Sequence, residues 1–149
     1  MPQASVRRII ETEKINLISL VLDIDKYPTF IPYCINSKVY ERYEKGDIIF
    51  IIADLTIGKG IFQDTYKSDV RYNKKNDIIN VTNIDGPLKY LENKWSFNQK
   101  ENATEVSFEV DFELKNKFLN ILMTKSFQYG LNKIADAFQK RAEDLFSNT

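Results

Sequence analysis

The chain has 149 residues, with 21 Lys plus Arg balanced by 21 Asp plus Glu, 43% hydrophobic residues, a single cysteine and no histidine. That length can bury a core without staples, and one cysteine excludes an internal disulfide and a multi-cysteine zinc site. Zero net charge gives no global attraction to nucleic acid, so no DNA partner is expected, and the missing histidine excludes Ser-His-Asp and Cys-His catalysis, histidine metal ligation and a histidine general base.

The opening MPQASVRRII lacks the apolar core of a secretory signal, and no apolar run approaches the roughly 18 residues that span a bilayer. With the lone thiol, these features predict a cytoplasmic protein. Ala4–Ile10 is a strand candidate. Thr12 then caps a helix predicted through Asp23, with Ile15, Ile18, Leu22, Leu17 and Val21 on its apolar side. In DKYPTFIPYC, Pro28 and Pro32 sit among Tyr27, Phe30, Ile31 and Tyr33, which predicts a stiff aromatic turn closing the short helices.

From Ile35 the hydrophobic period changes to two. Strands are expected over 36–42, 48–57, 61–72, 78–84, 90–97 and 104–114. Turns are expected at Glu44–Asp47, Asn73–Asp77, Asp85–Pro87 and Glu101–Asn102, with Gly58-Lys59-Gly60 breaking or bending the chain between the second and third of these strands. The last strand alternates cleanly: Val106, Phe108, Val110, Phe112 and Leu114 are dry, and Glu105, Glu109, Asp111 and Glu113 are wet. Asn116–Asn148 then carries one amphipathic helix, apolar at Phe118, Leu119, Ile121, Leu122, Phe127, Leu131, Ile134, Ala135, Phe138, Ala142 and Leu145. Such a helix is about 45 Å long, enough to cross a small sheet. Successive hairpins covered by a helix make an α+β fold. The expectation is a helix grip: a curved antiparallel sheet of about seven strands around the terminal helix, with short helices after the first strand, as one domain over 1–149.

The inner side of such a grip need not be filled. Strand and helix periodicity place Phe62, Tyr66, Val70, Leu91, Trp95, Val106, Phe108, Val110 and Phe112 there from the sheet, and Leu122, Phe127, Leu131 and Phe138 from the helix. Simple core packing is the bland alternative for each. A polar minority shares that parity: Asp64 and Ser68 with Tyr66, and Asn93 with Leu91 and Trp95. A buried polar group without a partner costs about 1–3 kcal/mol, and a mostly apolar pocket with a few polar groups is the usual make-up of a small-molecule site. Other constellations are weak. Asp23 and Asp25 read as a solvated helix end, Gly58-Lys59-Gly60 lacks the form of a phosphate-binding loop, and Cys34 has no histidine to activate it.

DIDKYPTFIPYC (23–34) with VYER (39–42), then DGPLKYLENKWSF (85–97), then FQYGLNKIADAFQKRAEDLF (127–146) resemble, in order, the motifs and closing helix of the coenzyme Q-binding, RatA-like family of the START-like (polyketide cyclase/dehydrase) superfamily. The resemblance covers nearly the whole chain. Two positions depart from it: Tyr33 stands where the family often has Trp, and Leu88 where Phe is common.

The resemblance implies a hydrophobic tunnel and two functions. One is non-enzymatic chaperoning of ubiquinone or a related polyprenyl lipid in support of respiratory electron transport. The ligand is then a lipid rather than a catalytic cofactor, and the protein is cytoplasmic or peripheral to the inner membrane. Asp64, Ser68, Asn93 and Lys89 are the head-group candidates, and Tyr27, Phe30, Ile31 and Tyr33 form either a gate that contacts the membrane or a plug of the core. The other function is a toxin that binds the large ribosomal subunit, with Lys115, Lys117, Lys125, Lys133 and Lys140 as a basic face blunted by neighbouring acids. A small-molecule cyclase or hydratase is the third reading, with Asp64 and Tyr66 as its testable groups.

Overall fold

The computed structural model describes residues 3–59 and 62–146, and within them the side chains of all but 59, 62, 119, 122, 123 and 125. Seven strands make one sheet: β1 (Gln3–Ile10), β2 (Cys34–Lys45), β3 (Ile48–Lys59), β4 (Phe62–Asn73), β5 (Ile78–Asp85), β6 (Leu88–Gln99) and β7 (Thr104–Leu114). Between β1 and β2 lie helix α1 (Lys14–Leu22) and a 3-10 helix (Ile24–Thr29), and helix α2 (Lys117–Phe146) ends the fold. The spatial order is β1-β7-β6-β5-β4-β3-β2, with every neighbouring pair antiparallel. β2 to β7 therefore form a meander, and β1 closes onto its last strand.

The expected elements are present, with several ends shifted. Thr12 does not cap α1. Glu13 occupies the cap position without a side-chain hydrogen bond, while the Thr12 hydroxyl accepts from Asn16 Nδ2 at 3.0 Å. The Thr12 carbonyl accepts instead from the Thr104 hydroxyl at 2.9 Å, tying the entry to α1 onto β7. β2 begins two residues early, because Tyr33 adopts a left-handed conformation (φ 69°) that turns the aromatic segment straight into the strand. Gly58 does not end β3, which continues to Lys59, and Gly60 lies outside the described residues.

Cross-strand register organises the inner face into rows. One runs Val39–Ala53–Ser68–Asn83, and Leu91 pairs with Phe112 on its continuation. The next runs Ile51–Val70–Val81–Asn93–Val110–Ala4, and the one after it runs Ile49–Tyr72–Ile79–Trp95–Phe108–Val6. Helix α2 presents buried Leu131, Ala135, Phe138 and Ala142 to this face. Steps of three and four place these on one stripe. Alanine at two of the four positions allows close approach, and the helix lies nearest β1. Arg8, inward on that edge strand, donates to Asp136 at 2.6 Å and to Gln139 at 3.2 Å. This fastens the helix along the edge.

The densest packing is aromatic. Trp95 stacks on Phe108 with ring centroids 3.8 Å apart, and Phe138 meets Trp95 edge-on at 5.1 Å. Phe30 and Tyr27 meet Phe138 edge-on from the far side at 5.4 and 5.7 Å. Phe138 thus joins sheet, terminal helix and 3-10 segment. Truncating a buried phenylalanine typically costs about 3–5 kcal/mol. Phe138→Ala is expected to lose that much unfolding free energy, read from the urea midpoint at unchanged slope. Leu145→Ala, on an exposed position of the same helix, should lose under about 1 kcal/mol.

Candidate functional site

The aromatic cluster divides the inner face in two. Toward the β1–α1 end everything is filled by Trp95, Phe97, Val106, Phe108, Leu131 and Phe138, all buried. Toward the other end, where β2, β4 and β6 begin and β3, β5 and β7 finish, the inward apolar residues Leu55, Tyr66, Leu114 and Phe127 are only half-buried. The start of α2 lies at this same end. This half of the face, roofed by the first turns of α2, is the candidate binding groove.

The expected lining residues sort accordingly. Leu91, Val110 and Phe112 are buried on the sheet side, Tyr66 and Phe127 are half-buried, and Phe127 meets Phe112 edge-on at 4.6 Å. Trp95, Phe108 and Leu131 belong to the filled half. A ring stacked at 3.8 Å leaves no room for a ligand between its members, so they form the groove's floor rather than an open wall. Phe62 and Leu122 lie outside the described side chains.

The polar candidates separate more sharply. Asp64 is exposed and accepts from the Thr65 backbone at 2.9 Å, because its parity is inward but it stands at the strand end beyond the cover of α2. Ser68 is 0% exposed, but its hydroxyl donates to the Ala53 carbonyl at 3.1 Å, so its hydrogen-bonding demand is met within the sheet. Lys89 pairs with Glu113 at 3.1 Å with its side chain largely exposed, since the register shift between Leu88 and Tyr90 moves it off the inner face. Asn93 alone points inward with an unmet group: its Oδ1 is buried and has no hydrogen-bond partner.

The 27–33 segment is a plug. Tyr27 donates its hydroxyl to the Val21 carbonyl, Phe30 packs on Phe138, and Ile31 is buried. Of its aromatic and aliphatic residues, Tyr33 is the exposed one, at 41%. Tyr27 and Phe30 are half-buried and Ile31 is buried, so most of their apolar surface packs on the core. The apolar residues that face solvent at the open end are different ones: Ile35, Ile57, Ile84, Phe118 (69% exposed) and Ile121. Periodicity had assigned Phe118 and Ile121 to the helix's apolar side, but both are exposed.

Burial pushes the Tyr66 hydroxyl well above the ordinary tyrosine range, with a smaller contribution from Cys34. Tyr66 therefore stays a neutral donor, unsuited to act as a base. Gly86, in the β5–β6 turn, has φ 128°, and a Cβ there would lie 2.8 Å from the Tyr66 Cα. The turn thus leans directly on the strand that carries Tyr66. A separate trough of about 710 Å³ crosses the sheet and is walled by Asn80, Lys94, Glu109 and Ser5 on one side and Thr82, Glu92, Asp111 and Gln3 on the other. Register makes each wall a cross-strand row of outward parity, so this trough lies on the outer face, with the strands at Ala4, Val81, Asn93 and Val110 as its floor.

Residues 19–139 match the family model described as polyketide cyclase / dehydrase and lipid transport. A mitochondrial coenzyme Q-binding protein of Dictyostelium discoideum is 33% identical over 134 residues, which are 88% of this chain but 64% of that protein, so the chain spans somewhat less than two thirds of that relative. The ribosome association toxin RatA of Rickettsia prowazekii is 28% identical over 142 residues, 93% of this chain and 94% of that one. A START superfamily protein from Mycobacterium smegmatis superposes with a TM-score of 0.80 at 18% identity, covering 96% of this chain and 98% of that one, which establishes the START-like helix-grip fold.

Two outcomes test this geometry. Gly86→Ala is expected to cost about 1–3 kcal/mol, since an alanine must carry an unfavourable φ and displace Tyr66, and urea denaturation measures it. Burial also pushes the Cys34 thiol up to about 11. The neutral thiol then favours the fold fully below the unfolded value of about 8.5, and that advantage is lost as pH rises through 11. Cys34→Ser should accordingly flatten the fall of stability between about pH 9 and 11 relative to the parent chain.

Proposed function

We propose, for a chain that belongs to the polyketide cyclase/dehydrase and lipid transport family, that it acts as a non-enzymatic carrier of a quinone or similar isoprenoid lipid held between the sheet and the first half of α2. One observation carries the reading. The half-filled inner face, with Leu55, Tyr66, Leu114 and Phe127, leads to a rim of solvent-facing apolar residues at the same end of the sheet. Exposed apolar side chains mark interaction sites where they gather into a patch. Burial of an isoprenoid tail contributes about 25 cal/mol per Å² of apolar surface, so a few isoprene units suffice for tight binding without any ionic contact.

A catalytic role receives less support from the chain's own groups. The Tyr66 hydroxyl is held neutral and Asp64 faces solvent, so the groove lacks a placed general base from that pair. No helix among the described residues is long and apolar enough to cross a membrane, and the carrier would meet a bilayer at the apolar rim.

The ribosome-directed reading has one observation in its favour: the likeness to the Rickettsia toxin runs over nearly all of both chains. Affinity for ribosomal RNA needs a basic face. Here the cations alternate with acids and several are paired, Arg8 with Asp136, Lys89 with Glu113 and Lys140 with Asp144. The lipid reading is therefore placed first.

Native mass spectrometry of gently purified protein, followed by organic extraction, should find a stoichiometric isoprenoid species. Leu91→Trp, which fills the groove beside Phe112, should lower uptake of a short-chain quinone by more than about tenfold while the far-UV spectrum is retained. A protein that takes up no lipid yet comigrates with large ribosomal subunits would reverse the order of the two readings.

A further inference from the structure

The row Ile51–Val70–Val81–Asn93–Val110–Ala4 crosses the middle of the inner face, and five of its six side chains are aliphatic and buried. Asn93 is the exception. Its Oδ1 is buried and makes no hydrogen bond to any described residue. Its neighbours in the row, Val81 and Val110, offer no donor. An apolar residue of similar size would fit this row without penalty, whereas an unmet buried carbonyl costs about 1–3 kcal/mol. The next row holds the Trp95–Phe108 stack, which closes the groove immediately behind Asn93. Among the described residues, Leu91, Phe112, Leu114 and Phe127 stand between Asn93 and the open end on this side of the groove.

We infer that Asn93 is the head-group contact of the groove and that the ligand enters head first, bringing a hydroxyl that donates to Asn93 Oδ1 while its tail runs out past Phe127 to the apolar rim. This deepens the carrier reading and rests on it. The chemical class is a hydroxyl-headed isoprenoid lipid, met by a reduced hydroquinone or by an isoprenoid alcohol. An oxidised quinone carries only acceptors on its ring, so it could meet this amide only through Nδ2, with the carboxamide turned from the orientation seen here and Oδ1 still unmet. The orientation also inverts the simpler expectation of polar groups at the mouth, because Asp64 and Lys89 at that end face solvent.

The test compares three probes on the full chain by equilibrium binding: decyl-ubiquinol kept reduced, decyl-ubiquinone and geranylgeraniol. The parent protein should bind the quinol roughly fivefold to tenfold more tightly than the quinone, the worth of one buried hydrogen bond. Asn93→Leu should abolish that ratio while still binding both, and should raise the midpoint of thermal unfolding of the empty protein. Asn93→Val, which matches the rest of the row, serves if the leucine variant does not fold. Geranylgeraniol binding that is also weakened by the substitution identifies an alcohol as an acceptable source of the hydroxyl; binding unaffected by it assigns the contact to the hydroquinone. Equal quinol and quinone affinity in the parent, or a ratio unchanged in both variants, overturns the inference and leaves the carrier reading standing. Failure of the parent chain to bind any of the three overturns both.

Discussion

Everything else in this protein depends on the contact of Phe138 with the stacked pair Trp95 and Phe108. It fixes where α2 crosses the sheet, and through Phe30 and Tyr27 it fixes the segment that would otherwise hang over the groove. Arg141, with its guanidinium 5.5 Å from the Phe30 ring, adds a cation–π contact to the same knot. Because that knot lies in one half of the inner face, the other half is free to remain incompletely packed.

A grip of this kind separates stability from binding. The filled half supplies fully buried apolar area and the edge-strand fastening through Arg8 and Asp136. The open half leaves Tyr66, Leu55, Leu114 and Phe127 partly exposed, which lowers stability by an amount that a bound apolar tail would restore. The rim of Ile35, Ile57, Ile84, Phe118 and Ile121 is then the same apolar surface carried to the outside. A ligand and a bilayer are chemically alike at that edge.

Apart from Arg8 and Asp136, the ion pairs near the groove contribute little to this plan. The exposed Lys140–Asp144 and Lys89–Glu113 pairs are of the kind worth about 0–1 kcal/mol. The Tyr72–Asp77–Lys14 group is tighter. Burial opposes ionisation of Asp77, but hydrogen bonds from Lys14 and Tyr72 outweigh it and hold the carboxyl below its usual range. It ties the start of α1 to the β4–β5 turn, far from the groove.

Periodicity was enough to read the elements, because burial on one face imposes a period of two on strands and of 3.6 on helices. It placed the alternation of β7, the turns at Gly46 and Gly86, and the stripe of Leu131, Ala135, Phe138 and Ala142. It also singled out Leu91, Phe112, Phe127 and Asn93. What parity cannot supply is depth along a strand or the partner of a polar atom. Asp64 shares a face with Ser68, yet one is in solvent at a strand end and the other is satisfied by Ala53 across the sheet. Trp95 shares a face with Leu91, yet only register against Phe108 makes it a floor. The aromatic 27–33 segment has the composition of a surface wedge, and only its fold onto Phe138 makes it core. Element type is a local property of side-chain spacing, and it was legible. Which inward positions are filled and which stay open is decided by where one helix comes to rest across seven strands, a long-range outcome that no window of sequence contains.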